Sequence, residues 1–287
     1  MTPGDSDGGE APSAPPELTA ADVLTLGRLL VAAQGVDLSY YTVSFIARRM
    51  AVRMRRSGCG TTGDYLARLA SDPAEVKALV AALTVNVTEF FRDAAMYETL
   101  RDRVVPLLTE GGPRRLQVWS AGCATGQEPY TVAMILDDAL ASRPGSSYRI
   151  YASDINPLQL AAAKAAVYPR ESIARVPARY ARRCFVDAGD GRVAVAPATR
   201  ANVTFFQHDL SGGHSIPAAG LDLIVCRNVM IYFSPEATDK LIESFHKSLA
   251  PDRFLVLGAS ETILKDRFFR PFDVKNKIYR RVSPDAA

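Results

Sequence analysis

The fold is decided by residues 116–131, Leu116-Gln-Val118-Trp119-Ser120-Ala-Gly122-Cys-Ala124-Thr-Gly126-Gln127-Glu128-Pro129-Tyr-Thr131. Leu116, Val118 and Trp119 form an apolar run that reads as a buried strand, residues 122–126 as a tight glycine turn, and Pro129 as the first turn of a helix. Glycines let a backbone pass close under a ligand, and the free N–H groups at a helix start favour a carboxylate or phosphate. The spacing is not the dinucleotide pattern G-x-G-x-x-G, so an ordinary strand-to-helix corner suits the same residues.

Outward from this turn, strand and helix alternate. Helices are expected at 129–141, 157–166 and 235–249, and strands at 149–153, 204–208, 221–226 and 254–258. After Asp222 the fourth strand is continuously apolar, as a buried parallel strand requires. Ser234 reads as the N-cap of the last helix, and residues 272–275 and 278–281 as a closing hairpin. Alternation of this kind predicts an α/β domain with a doubly wound sheet and helices on both faces. Residues 183–203 break the pattern and read as a small antiparallel insert, either a passive excursion or a functional one.

Upstream, residues 1–17 are rich in Pro, Gly, Ser and Ala, which predicts a disordered tail. Residues 18–87 read as an all-α domain with helices at 21–33, 41–57, 62–70 and 73–83. In the second helix Ile46, Met50 and Met54 share one face, while Arg48, Arg49, Arg53, Arg55 and Arg56 bring five positive charges and no acid. A run of this sort suits either a solvated face or an acidic partner. Residues 88–95 form a linker, too aromatic at Phe90 and Phe91 to be a plain spacer, that is expected to reach the site of the domain at 96–287.

Composition narrows the classes. The chain has 287 residues, 48% apolar and 23% charged, as soluble globular domains have. No run approaches the roughly 20 apolar residues of a membrane span, so direct membrane insertion is not expected and a cytoplasmic location is. Cys59, Cys123, Cys184 and Cys226 form no C-x-x-C pair, and His208, His214 and His246 are not at ligand spacing, so no metal is expected. The net charge of +3 becomes +7 over residues 18–287, because the first 17 residues hold four acids and no base.

Ligands of open α/β sheets bind beyond the carboxyl ends of the strands. There the pattern places residues 120–128, Asp154 and Asn156, Asp209, and Arg227, Asn228 and Tyr232. An acid directly after the second strand can hold a ribose diol, or it can cap the helix opening at Pro157. No lysine follows the glycine turn and no G-x-S-x-G is present, which disfavours an NTPase and a serine hydrolase. A nucleoside cofactor without phosphates remains. S-adenosylmethionine meets that description, and its activated methyl asks the protein only for alignment and exclusion of water.

Four ordered motifs carry a resemblance: Thr84-x-Asn86-x-Thr88-x-Phe-Phe-Arg92, Ser120-x-Gly122-Cys-x-Thr-Gly126-x-Glu128-Pro-Tyr-Thr131, Ala152-Ser-Asp154-Ile-Asn156 and Cys226-Arg227-Asn228-Val-Met-Ile-Tyr232-Phe233. Over about residues 20–281 the chain resembles the chemotaxis receptor glutamate methyltransferases, the CheR family. Ala124 and Gln127 stand where the family often has serine and glutamate, and His208-Asp209-Leu210 where Asn-Leu is usual. The resemblance implies a class I S-adenosylmethionine-dependent methyltransferase fold behind an all-α domain. It further implies that Asn86, Thr88 and Arg92 close over the cofactor's methionine end, with Gly122 in the turn beneath. Glu128 would face the ammonium group and Asp154 the ribose, with Asp209, Leu210, Arg227 and Asn228 completing the pocket.

The implied substrate is a glutamate in the cytoplasmic coiled coil of a methyl-accepting chemotaxis receptor, and the implied products are a methyl ester and S-adenosylhomocysteine. A glutamate of pKa ~4.3 is already ionised at neutral pH, so positioning by Arg92 and Tyr232 suffices as catalysis. The five arginines at 48–56 would dock the glutamate-rich receptor helices. Some family members grip a receptor's C-terminal pentapeptide with the insert; the short turn at 187–191 predicts a chain independent of that tether. A monomer without nucleic-acid partners is expected. Two competing readings stay open: a methyltransferase of RNA or a small molecule, told by a steep salt dependence of RNA binding, and a non-catalytic cofactor-sensing adaptor, told by absence of turnover.

Overall fold

A computed structural model of the chain describes residues 18–34, 36–83, 88–210, 219–263 and 267–282. The expected tail at 1–17 and the motif residues 84–87, Asn86 among them, lie outside the described residues. The chain divides into two compact units between Leu83 and Thr84.

The first unit is all helical, with α1 (Ala20–Gln34), α2 (Val43–Ser57), α3 (Thr62–Ser71) and α4 (Pro73–Leu83). Helix α2 starts two residues later than its periodicity suggests, because Thr42 keeps an extended N-cap conformation. It stops at Gly58, whose φ of 71° supplies the left-handed C-cap that glycine adopts without a Cβ clash. Phe45, Ile46, Met50 and Met54 are buried, so the apolar stripe read from the sequence is the packed face.

The described residues of the second unit hold ten strands: β1 (Arg115–Ala121), β2 (Ser147–Asp154), β3 (Val167–Pro169), β4 (Phe185–Gly189), β5 (Arg192–Val195), β6 (Val203–Gln207), β7 (Leu221–Cys226), β8 (Leu249–Leu257), β9 (Phe269–Asp273) and β10 (Ile278–Arg281). Seven form one sheet in the order β6-β2-β1-β7-β8-β10-β9. The pairings from β6 across to β8 are all parallel, and β10 runs antiparallel between β8 and β9. This is the doubly wound class I arrangement. Its strand order reverses between β1 and β7, where the crossovers on the two sides diverge and leave a crevice. The central strands are buried almost throughout, whereas the edge strand β9 carries exposed Arg270 and Pro271, which blunt it against further pairing.

Three local differences from the sequence reading have physical causes. Residues 94–108 are helical, widening into a π turn at Leu100–Val104 just before Pro106, which has no N–H to donate. The antiparallel insert is a three-stranded sheet, β3-β5-β4, so it starts at Val167 rather than near residue 183. Val167–Pro169 is too short to show alternation and pairs only with distant Arg192–Ala194. The closing hairpin begins at Phe269 rather than at 272, and its strands are joined through residues 274–277.

Candidate active site

The glycine turn is built onto the end of β2. Gly122 and Cys123 both donate their N–H to the Ser153 carbonyl, at 2.8 and 2.9 Å, and the Ala124 N–H donates to Asp154 Oδ2 at 2.9 Å. Gly122 and Gly126 have φ of 78° and 93°. At Gly122 a Cβ would stand 2.4 Å from Val229 Cγ2, so glycine is required both by backbone conformation and by close approach. Asp154 Oδ1 accepts the Asn156 N–H at 2.9 Å, while Asn156 itself caps helix Pro157–Ala165 by accepting the Leu158 N–H. Asp154 is therefore not the cap. Burial raises its carboxyl above the usual range, and the N–H groups of Asn156 and Ala124 oppose that rise.

A second cluster lies at the start of helix Gln127–Leu140. Glu128 is buried and accepts the Ser120 hydroxyl at 2.8 Å. Arg227, directly after β7, brings Nη1 to 3.8 Å from Glu128 Oε2 and donates to Tyr97 Oη at 3.3 Å and to Asp93. Burial pushes the Glu128 carboxyl up to about 7, against the pull of Arg227, the Ser120 hydroxyl and the charge of Arg92. Arg227 stays charged: burial disfavours its cation, but Tyr97, Glu128 and Asp93 more than offset this. The sequence reading gave Arg227 to the cofactor, yet its side chain is turned onto these three groups, and Nε is buried without a hydrogen-bond partner.

The remaining candidates flank these two clusters. Asn228 follows Arg227 with φ of 60°, and half-buried Tyr232 ends a 3₁₀ turn. The His208 N–H donates to the Asp154 carbonyl at 3.1 Å, which brings the end of β6, and with it half-buried Asp209 and Leu210, beside the end of β2. Thr88 is half-buried, and the Phe91 N–H donates to Thr131 Oγ1 at 3.2 Å, tying the segment that carries Arg92 to helix Gln127–Leu140.

Reading the sequence missed Asp93, Tyr97 and Glu261. Tyr97 and Asp93 lie in a segment with no recognised periodicity. Glu261 carried a usable signal, as an acid just past the carboxyl end of a parallel strand.

In the helical unit the five arginines separate. Arg48, Arg55 and Arg56 are exposed, and Arg49 lies 5.4 Å over the Phe45 ring. Arg53 is turned inward. Its Nε and Nη2 donate to Glu75 Oε1 and Oε2 at 3.0 and 2.6 Å, and Tyr65 Oη adds a third bond to Glu75 at 2.7 Å. These bonds hold the Glu75 carboxyl below the usual range.

A mostly parallel, doubly wound sheet with a glycine turn after β1, a half-buried acid ending β2 and a buried carboxylate at the start of the following helix is the architecture of the α/β methyltransferase class. The chain belongs to the CheR methyltransferase family: residues 86–278 match the family's S-adenosylmethionine-binding domain and residues 22–84 its all-alpha domain. It is 31% identical to the chemotaxis protein methyltransferase of Listeria monocytogenes over 90% of this chain and 96% of that protein. It is also 34% identical to chemotaxis protein methyltransferase 1 of Pseudomonas aeruginosa, over 80% of this chain and 85% of the other. With chemotaxis protein methyltransferase 1 of Vibrio cholerae the identity is 37%, over 67% and 70%.

Proposed function

We propose that this chain transfers the methyl group of S-adenosylmethionine to glutamate side chains of methyl-accepting chemotaxis receptors, giving glutamate methyl esters and S-adenosylhomocysteine. One observation carries the cofactor half: the Asp154 carboxylate sits half-buried at the end of β2, anchored to the glycine turn after β1 through Ala124 and not used as a helix cap. The donor set suits the cofactor. The ammonium group of the cofactor's amino-acid end calls for a buried carboxylate, which Glu128 supplies, and a ribose diol calls for acceptors, which Asp154 has in its remaining lone pairs. The chain passes close beneath at Gly122, where a Cβ has no room.

When bound, the cofactor supplies an electrophilic methyl group on a sulfonium. Glu128 would hold the ammonium group, Asp154 the ribose, and Asp209, Leu210 and Asn228 the rest of the nucleoside, with Asn86 and Thr88 over the methionine end. Arg227 would act one step back, keeping Glu128 and the Asp93 turn in place. Arg92 and Tyr232 would orient the acceptor carboxylate by hydrogen bonding, and because that carboxylate is already ionised the chain needs no general base.

Receptor docking falls to Arg48, Arg49, Arg55 and Arg56, with Arg53 assigned to internal structure. The reading places the protein in the cytoplasm, at receptor clusters; among the described residues no helix is long and apolar enough to cross a membrane. Strands β4 and β5 are joined across only Asp190 and Gly191, and on that short turn we base independence from a pentapeptide tether. Micromolar binding of such a peptide in calorimetry would overturn that part.

The principal test is calorimetry with S-adenosylhomocysteine, wild type against Asp154→Ala, followed by methyl transfer to receptor-containing membranes. The expected outcome is binding that Asp154→Ala abolishes and base-labile methyl incorporation into receptor protein. Binding without incorporation would refute the acceptor; no binding would refute the cofactor site.

A further inference from the structure

Glu261 lies beyond the carboxyl end of β8, three residues after Gly258, and is 3% exposed. A carboxylate this deeply buried is costly unless its oxygens are satisfied. Here they are saturated. Oε1 accepts the N–H groups of Val229 and Met230 at 2.9 and 2.8 Å, and Oε2 those of Asn228 and Gly258 at 3.0 and 2.6 Å. Three consecutive main-chain donors converging on one point make the kind of nest that binds free anions. In this fold the chain supplies the anion itself.

The loop so held is the one after β7. Its Asn228 has φ of 60°, in the left-handed region that most side-chain-bearing residues avoid and that asparagine tolerates best. The surroundings are tight on both sides. A Cβ on Gly258 would lie 2.8 Å from the Asn228 nitrogen and 2.8 Å from Glu261 Oε2, and one on Gly122 would lie 2.4 Å from Val229 Cγ2. Residues 228–230 are therefore clamped between the glycine turn of β1 and the end of β8, with the Glu261 carboxylate binding their N–H groups.

We infer that Glu261 is a positioning residue: it holds the β7 loop in the conformation that presents Asn228 to the cofactor and Tyr232 to the acceptor, and touches neither. A carboxylate offers about four lone-pair sites, and four donors occupy them, so Glu261 has no remaining capacity to act as a base or to bind a ligand. The inference rests on the functional reading above, in which Asn228 and Tyr232 serve the methyl-transfer site.

The test uses the full chain with Glu261→Ala and Glu261→Gln, read by thermal midpoint, S-adenosylhomocysteine affinity, and kcat and KM on receptor membranes, beside wild type and Asp154→Ala. Glu261→Ala leaves a gap faced by four donors, which formate can fill; Glu261→Gln sets an amide NH₂ against two N–H groups. Both variants are expected to fold, to bind roughly 10- to 100-fold more weakly and to lose kcat. Formate is expected to restore Glu261→Ala but neither Glu261→Gln nor Asp154→Ala, and acetamide to restore none. Glu261→Ala with affinity and kcat near wild type, a loss that formate leaves untouched, or failure of both variants to fold would each overturn the inference. Wild type that does not bind S-adenosylhomocysteine would instead refute the functional reading beneath it.

Discussion

At Glu128 the carboxyl titrates near 7 because burial outweighs Arg227 and Ser120. The ligand's ammonium group needs the ionised form beside it, so binding releases a proton, and S-adenosylhomocysteine affinity should rise from pH 6 to about 8 and then level off. Calorimetry across that range in buffers of different ionisation enthalpy checks this. The stability linkage has the opposite sense. The folded ligand-free protein holds this proton more tightly than the unfolded chain, so this group lowers stability as pH rises from about 4.5 through about 7, and its contribution is flat above. Gly122→Ala combines a positive φ with a 2.4 Å contact to Val229, and should weaken cofactor binding together with a stability loss of about 1–3 kcal/mol. Calorimetry and a thermal melt on one preparation would measure both.

Helix α2 shows what a charge run means once its face is known. Arg55→Glu with Arg56→Glu alters only exposed positions, and should depress receptor methylation while leaving the thermal midpoint within about a degree and cofactor affinity intact. Equal loss of cofactor binding would refute the docking role. Arg53 belongs to a different experiment. Arg53→Ala strands the Glu75 carboxylate, 5% exposed, beside the Tyr65 hydroxyl, and should cost about 3 kcal/mol of stability in denaturant unfolding. The five arginines are alike in sequence. Their division follows from helix phase: Arg53 points to α4, whose Glu75 lies 22 residues away, and no local pattern records that meeting. Strand β3 escaped notice for the same reason, since three residues with one distant partner carry no period of their own.

For the whole molecule, the charge of +7 over residues 18–287 predicts an ionic-strength signature. Raising salt from low to physiological strength should increase KM for receptor membranes, because it screens docking between exposed charges, and should leave S-adenosylhomocysteine affinity nearly unchanged, because Glu128 is buried. An equal weakening of cofactor binding beside the rise in KM would move the basic face away from docking.

By itself the sequence determined the alternation of strand and helix, the all-α unit ahead of it, and the placing of Gly122, Glu128, Asp154, Asp209, Arg227 and Asn228 at strand ends. Periodicity and turn chemistry are local, so they can be read along the chain. Only tertiary structure decided which of those groups meet. Arg227 finds Asp93 across 134 positions, Glu261 finds the β7 loop across 31 to 33, and Asn156 relieves Asp154 of capping. A buried charge takes whichever partner the packed elements bring within hydrogen-bond reach, and that distance is set by the sheet order rather than by the spacing of residues in the chain.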